Sequence, residues 1–376
     1  MIRMKEKSKV YFTDFRARPG YNLLQKLEKL VKKAGIENID FENKYTAIKI
    51  HFGEPGNLAY LRPNYSKVIV DLVKKLGGKP FLTDCNTLYV GGRKNALDHL
   101  DSAYVNGYNP FTTGCHIIIA DGLKGTDEQY VEINQEYVKT AKIGRAIMDA
   151  DVIISLNHFK GHEGTGFGGA IKNIGMGCGS RAGKMEMHSS GKPNVIPENC
   201  RKCKQCIKIC AHGAISYNEE GKAVIDHNKC VGCGRCIGIC NFDAIKSPND
   251  EAADILNKKM AEYALAVVKD RPQFHISLIC DVSPNCDCHG ENDAPIVPNI
   301  GMLASFDMVA LDQACADLVN KQEVFENSHL AEQMKNGVHE KDLFHCNHPE
   351  TNWESQIEHG EKIGLGTKEY ELIEVK

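Results

Sequence analysis

The chain has 376 residues, with 46 basic and 49 acidic side chains and a net charge of -3. This balance excludes the strongly basic surface typical of nucleic-acid-binding proteins, so no nucleic-acid partner is expected. No apolar run approaches the ~20 residues of a membrane-spanning helix, so no membrane partner is expected either. The charged N-terminal stretch MIRMKEKSKVYF has no apolar signal-peptide core behind it, which predicts a cytoplasmic protein.

The N-terminal half of the chain alternates short β-rich runs with helical stretches, a pattern typical of parallel α/β architecture. The predicted elements are strands over residues 9–15, 46–52, 79–83, 116–120 and 151–156 and helices over residues 21–34, 63–76 and 92–106. Ligands of such sheets usually bind in the loops beyond the carboxyl ends of the strands. Three of these loops, HFGEPGN, TDCNTLYVGGR and NHFKGHEGTGFGG, are rich in polar residues.

An internal repeat over residues 196–248 interrupts this pattern. The string NCRKCKQCIKICAHGAI begins at Asn199, and the similar string KCVGCGRCIGICNFDAI begins at Lys229. The α/β pattern then resumes. The predicted elements after the repeat are a helix over residues 251–268, strands over residues 274–279 and near residue 302, and a helix over residues 310–319.

Cysteine is concentrated in this repeat, which holds eight of the 16 cysteines of the chain. Each copy contains Cys-x2-Cys-x2-Cys-x3-Cys. In a reducing compartment such a cluster indicates thiolate ligands for metal, and three closely spaced thiolates can hold three corners of one cubane cluster. A pair of zinc knuckles is the alternative, but zinc sites usually have two spaced cysteine pairs or include histidine.

The repeat resembles the bacterial-type two-cluster ferredoxins over nearly its whole length. The resemblance implies two 4Fe–4S clusters, with the fourth cysteine of each run bound to the other cluster. The implied ligand sets are Cys200, Cys203, Cys206 and Cys240 for one cluster and Cys230, Cys233, Cys236 and Cys210 for the second. The sequence departs from the family at Ala211 and Asn241, where the family usually has proline, and this departure bears on the cluster potentials.

These observations predict an α/β fold, in the form of a discontinuous parallel-sheet α/β domain with an inserted small α+β ferredoxin-like two-cluster module. The domain occupies residues 1–195 and 249–376, and the module occupies residues 196–248. The module has eight basic and five acidic residues, although the whole chain is acidic. Its basic residues either form a docking patch for a redox partner protein such as a ferredoxin, or are ordinary solvated side chains.

A glycine-rich stretch follows the strand predicted over residues 151–156. Its glycines satisfy GxGxxG formally, but they do not start at the strand end, which does not fit a dinucleotide fingerprint. Glycines and helix-start amides suit a small anionic ligand instead, one of unknown identity. The candidate residues are Gly164, Gly166 and Gly169 for cofactor binding and His162 and Lys172 for catalysis.

A third group of cysteines lies just after the strand predicted over residues 274–279, in the string CDVSPNCDCH. Cys280, Cys286 and Cys288 predict a third metal site, for which His289 offers a further ligand. Both sulfurs of the Cys-x-Cys unit can reach one metal only if the loop is bent. The metal's identity stays open, and a loop of free thiols is the alternative.

A wider resemblance covers nearly the whole chain. The strings AIKIHFGEPGN, FLTDCNTLYVGGR, ISLNHFKGH with GGAIKNIGMG, and DMVALDQACADLV resemble the family called domain of unknown function 362. The resemblance implies an iron–sulfur protein, often with an inserted two-cluster segment, but no settled reaction. Residues 162–175 also resemble, by analogy only, the glycine-rich loop of the nickel-pincer lactate racemase family.

The leading interpretation is an iron–sulfur oxidoreductase in which two clusters transfer electrons to a redox site in the α/β domain. Two alternatives stay open at this point: a non-catalytic ferredoxin-type electron carrier, and a maturation protein that delivers metal or clusters. The polar loops beyond the strands favour a site of chemistry, because a pure carrier would not need them.

Overall fold

The computed structural model describes residues 7–89, 91–188, 192–210, 212–230, 235–240, 242, 244–246, 253–337 and 342–376. Its strands are β1 (Ser8–Asp14), β2 (Tyr45–Lys49), β3 (Lys79–Asp84), β4 (Ile117–Ile119), β5 (Glu128–Glu132), β6 (Thr140–Gly144), β7 (Val152–His158), β8 (Lys160–His162), β9 (Gly166–Gly168), β10 (Asn194–Val195), β11 (Ile215–Tyr217), β12 (Ala223–Ile225), β13 (Ile245–Lys246), β14 (Gln273–Ile279), β15 (Gly301–Ser305) and β16 (Tyr370–Glu374).

The α-helices, in chain order, are α1 (Leu23–Lys33), α2 (Pro63–Lys75), α3 (Ala96–Val105), α4 (Pro110–Thr113), α5 (Arg145–Met148), α6 (Ala170–Cys178), α7 (Arg181–His188), α8 (Gln205–Ile209), α9 (Arg235–Ile239), α10 (Ala253–Val268), α11 (Met308–Val319), α12 (His329–Lys335), α13 (Leu343–Asn347) and α14 (Glu354–Lys362). Among the described residues, no helix is both long and apolar enough to cross a membrane.

Eight strands form one sheet in the order β16-β1-β15-β14-β7-β2-β3-β4. Neighbouring strands are parallel except at β15, which runs antiparallel to both β1 and β14. The sheet takes strands from both sides of residues 196–248, since β7 pairs with β14 and places Leu156 opposite Ile276. The predicted mixed α/β class with a large, mainly parallel sheet is confirmed.

The two faces of the sheet carry separate apolar cores, because successive side chains of a strand point to opposite faces. Ala47 and Ile153 belong to the core beneath α6, α10 and α11, and their chain neighbours Ile48 and Ile154 belong to the core beneath α1 and α2. Each fully buried isoleucine stabilises the fold by roughly 1.5–3 kcal/mol. Continuous apolar strands of this kind are typical of a sheet covered by helices on both faces.

Side-chain caps set the ends of several helices. Asn22 accepts a hydrogen bond from the backbone of Gln25, whose side chain accepts from the backbone of Asn22, and this capping box starts α1. The helix predicted over residues 92–106 starts only at α3, because Asn95 caps it. The sequence analysis did not predict β16, the β5–β6 and β8–β9 hairpins, or the helices α12 to α14.

Residues 192–246 form a separate small unit within the described ranges. Helices α8 and α9 begin at equivalent positions of the two repeat copies, and they pack against each other beside the β11–β12 hairpin and the β10–β13 pair. A third apolar core joins this unit to the α/β domain through Leu88 and Met185. The buried cysteines of that core are Cys200, Cys206, Cys236 and Cys240.

Candidate functional site

A cavity of about 60 Å³ lies at the point where the strand order reverses. From β2 the chain continues outward through β3 and β4, and then returns to add β7 and β14 on the other side of β2. Loops after adjacent strands separate at such a point and leave a crevice beyond the carboxyl ends. The lining includes Lys49 at the end of β2 with His51 beyond it, Asp84 at the end of β3 with Cys85 beyond it, and Asn157 and His158 at the end of β7.

A buried ion pair forms the floor of this cavity. The ammonium of Lys49 lies 3.1 Å from Oδ1 of Asp84, and both side chains are buried. Burial opposes ionisation of Asp84, but the charge of Lys49 and the smaller effects of other nearby groups together hold the pKa of this carboxyl below its usual range. Lys49 also donates to Oδ1 of Asn173 on α6, at 2.8 Å, so the pair ties β2 and β3 to the helix.

Arg93 forms a second wall, and it too is buried. Its Nε donates to Oε2 of Glu54 at 2.8 Å, and its Nη1 donates to Nε2 of His51 at 2.9 Å. Burial, and after it the Arg93 charge, hold the pKa of His51 well below its usual value. Nη2 of Arg93 has no hydrogen-bond partner among the described residues, and neither has Oδ1 of Asn157. The protein therefore leaves a donor and an acceptor unsatisfied at this cavity.

His158 and Lys160 form a third wall, and the buried Asp287 pairs with both of them. Nδ1 of His158 lies 2.8 Å from one carboxylate oxygen of Asp287, and Nε2 of the same ring lies 2.7 Å from the carbonyl of Cys280. Both ring nitrogens of His158 therefore face oxygen acceptors. Lys160 lies 3.2 Å from the same carboxylate, which is fully buried.

The chain turns at Asp287 and brings Cys286 and Cys288 to one side. The amide of His289 donates to the carbonyl of Cys286 at 3.1 Å, which closes the turn. Both sulfurs and a ring nitrogen of His162 lie within 4.8 Å of one another. The bend on which the sequence-based prediction depended is therefore present, and both cysteines line the cavity.

Cys286 is surrounded by hydrogen-bond donors. Its pKa lies well below the usual thiol value because the Cys288 thiol donates to its sulfur and, against the effect of burial, Lys172 and His162 stabilise the thiolate. Nζ of Lys172 lies 3.5 Å from this sulfur. The same hydrogen bond has the opposite effect on its donor. The Cys288 thiol donates its proton to the sulfur of Cys286, and this raises the pKa of Cys288.

The orientation of His162 follows from its own loop. Its Nδ1 accepts hydrogen bonds from the amides of Gly164 and Thr165, at 3.0 and 3.1 Å. The hydrogen of the neutral ring therefore lies on Nε2, the nitrogen that is free to donate to Cys286. Metal-bound histidines usually donate from their second nitrogen, so this geometry suits a donor to a thiolate better than a metal ligand.

A second set of ligand types overlaps the first. This set has one potential ligand atom from each of Glu163, Cys288 and His289, and the three atoms lie within 4.8 Å of one another. Nε2 of His289 lies 2.9 Å from Oε1 of Glu163, and this hydrogen bond raises the pKa of His289. Cys280, the remaining cysteine of the predicted third site, is not brought to these groups. It is buried in the core under α1 and α2, and burial raises its pKa to about 12.

The glycine-rich stretch does not form the anion cradle that the sequence predicts. It forms the β8–β9 hairpin, in which Gly166 has a φ of +80° and a Cβ would lie 2.7 Å from Cβ of Trp353. The amides of Ala170 and Ile171 at the start of α6 already donate to Asp312, at 2.7 and 2.9 Å.

Asp312 therefore occupies the helix terminus that was assigned to a ligand. Burial raises the pKa of this carboxyl to about 7. At Gly169 a Cβ would lie 2.3 Å from Oδ1 of Asp312, so the glycine makes room for the cap. Gly169 does line the cavity, whereas Gly164 and Gly166 are not among its described lining residues.

A smaller cavity lies inside the cysteine-rich unit. It is lined by the predicted first ligand set, Cys200, Cys203, Cys206 and Cys240. Thiolates around a single zinc ion would lie about 4 Å apart, given Zn–S bonds of about 2.3 Å. Among the described residues, these four cysteines do not appear in a ligand triad as tight as 4.8 Å.

The second predicted set is described only in part. Cys233 lies outside the described residues, as do Ala211 and Asn241. Cys236 is buried, and Cys210 and Cys230 are half-buried. The amide of Ala214 donates to the sulfur of Cys210 at 3.3 Å, and that of Ala223 donates to Cys200 in the first set at 3.5 Å.

One loop connects the two cavities. It follows β3 and contributes Thr87, Tyr89 and Arg93 to the larger cavity. Between them, Leu88 packs into the apolar core that contains the buried cysteines of the repeat. The next residue after Arg93, Lys94, donates through Nζ to the carbonyl of Cys240. The carboxyl edge of the sheet is therefore in direct contact with the cysteine-rich unit.

Sequence reasoning missed much of the larger cavity. Lys49, Asp84 and Asp287 were not singled out, although a lysine within the apolar run AIKIHF and an aspartate at the end of FLTD mark buried charges. Arg93 was quoted only as part of a polar loop. A charged residue inside or directly after a buried strand was the signal available for these positions.

The family model described as "Domain of unknown function (DUF362)" matches residues 46–317. The chain belongs to this family. The family predicted from the sequence is thus confirmed, and the matched region contains both cavities of this DUF362 protein.

Individual relatives are more distant. A thylakoid-associated protein of Synechocystis sp. is 27% identical over 124 residues, which are 33% of this chain and 35% of that protein. The lactate racemase apoprotein of Thermoanaerobacterium thermosaccharolyticum has a TM-score of 0.36 and 12% identity, with 73% of this chain and 51% of that one covered. A Thermotoga maritima protein has a TM-score of 0.40 and 11% identity, with 78% and 57% covered. The match with the curated relative spans about a third of its length.

Proposed function

We propose that this DUF362 protein is an iron–sulfur oxidoreductase that supplies electrons to the disulfide form of a cysteine pair in the larger cavity. Residues 196–248 would hold two 4Fe–4S clusters, which supply one-electron transfer when bound. The ligands would be Cys200, Cys203, Cys206 and Cys240 for one cluster and Cys230, Cys233, Cys236 and Cys210 for the other.

The observation that carries this proposal is the cavity lined by all four cysteines of the first set. Three of them come from the first run, whereas Cys240 is the last cysteine of the second run. This arrangement supports the crossover that the resemblance to two-cluster ferredoxins implies. The backbone amide of Ala223 that donates to Cys200 supports thiolate character at that sulfur, because it lowers the pKa of Cys200 against the effect of burial.

The thiol pair Cys286 and Cys288 is the proposed end of the electron path. Conversion of the two thiols to a disulfide releases two electrons and two protons, and reduction takes up the same number. Lys172 and His162 stabilise the Cys286 thiolate, which is the form that exchanges with disulfides. The loop that carries Leu88 joins this site to the cysteine-rich unit.

The protein that delivers electrons is proposed to be an acidic redox partner such as a ferredoxin. The cysteine-rich unit has more basic than acidic residues, and Lys202, Lys204 and Lys208 lie near the first ligand set. Charge complementarity of this kind raises association rates and fixes orientation.

A second candidate for the thiol pair is a soft metal site, which the two overlapping ligand sets favour. Cys286 and Cys288 would be the ligands, completed by His162 or by Glu163 and His289. The hydrogen bonds at Nδ1 of His162 disfavour this residue as a metal ligand. They leave the ring hydrogen on Nε2, the nitrogen that would have to bind the metal.

The test combines metal analysis with a reductive titration of the anaerobically prepared protein. We expect about eight iron and about eight sulfide per chain. With the thiol pair oxidised beforehand, dithionite should deliver about four electrons to the wild type and about two to Cys286→Ser/Cys288→Ser. Cys315→Ser, which changes an isolated buried cysteine, is the matched control and should behave as the wild type.

Each part of the proposal has its own contrary result. About four iron per chain, or stoichiometric zinc in the repeat, would contradict the two clusters. Equal electron uptake by wild type and double variant would contradict the thiol pair. A further metal that is present in the wild type and lost in the double variant would select the soft metal site instead.

A further inference from the structure

The side chains that line the larger cavity are predominantly cationic. Five lysine and arginine residues contribute to its wall, but Asp84 is the single carboxylate among its described lining residues. Four of the five cations are buried, and Lys172 is half-buried. The basic residues are Lys49, Arg93, Lys160, Lys172 and Lys184.

Asp84, which pairs with Lys49 and lies 3.9 Å from Nη1 of Arg93, faces the cavity, but two further carboxylates that accompany these cations do not. Glu54 contacts the Nε side of Arg93, and Asp287 is shared between Lys160 and His158, and neither carboxylate lines the cavity. Glu163 is near Lys172 but is hydrogen-bonded to His289. Among its described lining residues, the cavity therefore has more cationic than anionic side chains.

Several donors at the wall are without an anionic oxygen. Nη2 of Arg93 is buried and has no hydrogen-bond partner among the described residues. Lys172 has the Cys286 sulfur as its hydrogen-bond partner. Within the described part of the chain, Lys184 donates to the carbonyls of Gly177 and Gly179, at 3.4 and 2.6 Å. Buried cations and unpaired guanidinium donors are costly, and an anion in the cavity would offset that cost.

We propose that this cavity binds a small oxyanion, of the carboxylate or phosphate type, between Arg93 and Lys172. In the bound state the guanidinium of Arg93 would donate to one oxygen and the ammonium of Lys172 to another. A cavity of about 60 Å³ admits about four water-sized groups, which matches an anion of four or five heavy atoms. Because Cys286 and Cys288 line the same cavity, the anion lies beside the thiol pair.

The inference deepens the proposed function by naming a ligand class for its redox site. Binding of the anion rests on the cavity alone, and only its place beside a redox centre rests on the proposed function. The two can therefore fail separately. Iron and sulfide measured on the same samples report the clusters, and calorimetry reports the anion.

The experiment titrates inorganic phosphate and acetate, in separate arms, into the full-length protein at constant ionic strength in chloride. We expect saturable one-to-one binding of one of these probes, which also assigns the anion to the phosphate or the carboxylate type. Lys172→Gln and Arg93→Gln should each weaken that binding at least tenfold, and Arg93→Lys should recover part of it. Lys32→Gln, which removes a half-buried lysine paired with Glu28 on α1, should bind as the wild type does.

Absence of binding by both probes, or equal affinity in wild type and Lys172→Gln, would overturn the proposal. If Arg93→Gln fails to fold because Glu54 loses its partner, Lys172→Gln decides the question, since its ammonium has no carboxylate within ion-pairing distance among the described residues. Anion binding by a preparation without iron would leave this inference standing and contradict the proposed clusters. Full cluster content without anion binding would support the proposed clusters and contradict this inference.

Discussion

Two cysteine-rich regions of this protein differ in what brings their sulfurs together. In residues 196–248 the covalent spacing would do so, since three of the proposed ligands of each set belong to one Cys-x2-Cys-x2-Cys run. In the loop after β14, Cys286 and Cys288 share one site only because the chain turns at Asp287. The partners of these two sulfurs, His162 and Lys172, come from the β8–β9 hairpin and from α6.

The comparison separates two ways in which a fold controls thiol chemistry. Closely spaced thiolates on a short loop bind metal with little help from the rest of the chain. The reactivity of the second pair depends instead on buried charges from distant segments, which set the protonation of Cys286. The four predictions below separate the regions by ligand loss, by stability and by thiol titration, in order of decreasing effect.

The largest effect is expected from Cys210→Ser. Its sulfur should belong to the cluster of the other run, so iron should fall from about eight to about four per chain. The electron paramagnetic resonance spectrum of the reduced variant should match that of Cys236→Ser, which removes a ligand of the same cluster. A match with Cys206→Ser instead would contradict the crossover, and Cys115→Ser serves as the control.

Removal of the charge at Asp287 should destabilise the second region. Asp287→Asn leaves His158 and Lys160 without their buried counter-ion and should lower the free energy of unfolding by about 3–5 kcal/mol at pH 7. Despite burial, the charges of His158 and Lys160 hold the pKa of Asp287 below its unfolded value of about 3.9.

The sign of the pH dependence follows from that lowered pKa. The stabilisation by Asp287 is complete above about pH 4 and is lost as the pH falls through the folded-state pKa. Urea unfolding of wild type and variant should therefore converge toward low pH. Asp293→Asn, at an exposed position, should match the wild type throughout, and a constant difference at all pH values would contradict the assignment.

Sequence reasoning reached these two regions to different depths. The strands β2 and β7 were predictable because buried parallel strands are continuous apolar runs, and the cysteine sets were predictable because their spacing is local. The roles of Arg93 and Asp287 were not, since their partners lie 39 and 129 residues away. The sequence pattern of the glycine stretch suggested an anion-binding loop, whereas the chain forms a hairpin followed by a helix capped by Asp312. Glycines at these positions are compatible with either structure.

A smaller effect on stability is expected from Gly169→Ala. The new Cβ would lie 2.3 Å from Oδ1 of Asp312 and would displace the cap of α6, at a cost of about 1–3 kcal/mol. Gly164→Ala is the matched control, because its Cβ would meet no atom closer than 3.6 Å. Thermal unfolding of the two variants should differ accordingly. Equal stability of the two variants would show that Asp312 can cap α6 even when residue 169 has a side chain.

The smallest expected effect concerns the titration of Cys286. In the reduced wild type, the rate of alkylation at this sulfur should rise through a midpoint well below the ordinary thiol value of about 8.5. His162→Ala and Lys172→Gln each remove a donor to the thiolate. A hydrogen bond to a charged group is worth about 1.5–3 kcal/mol, so each midpoint should move up by about one to two pH units.

Isotope-coded iodoacetamide and peptide mapping can follow Cys286 apart from the other cysteines. Cys115 provides a reference within the same digest, because burial raises its pKa to about 11 and neither variant touches it. A wild-type midpoint near 8.5 would show that the buried charges do not activate Cys286. A shift in Lys172→Gln alone would assign the activation to the ammonium and leave His162 as a support of the hairpin, through the amides that donate to its Nδ1.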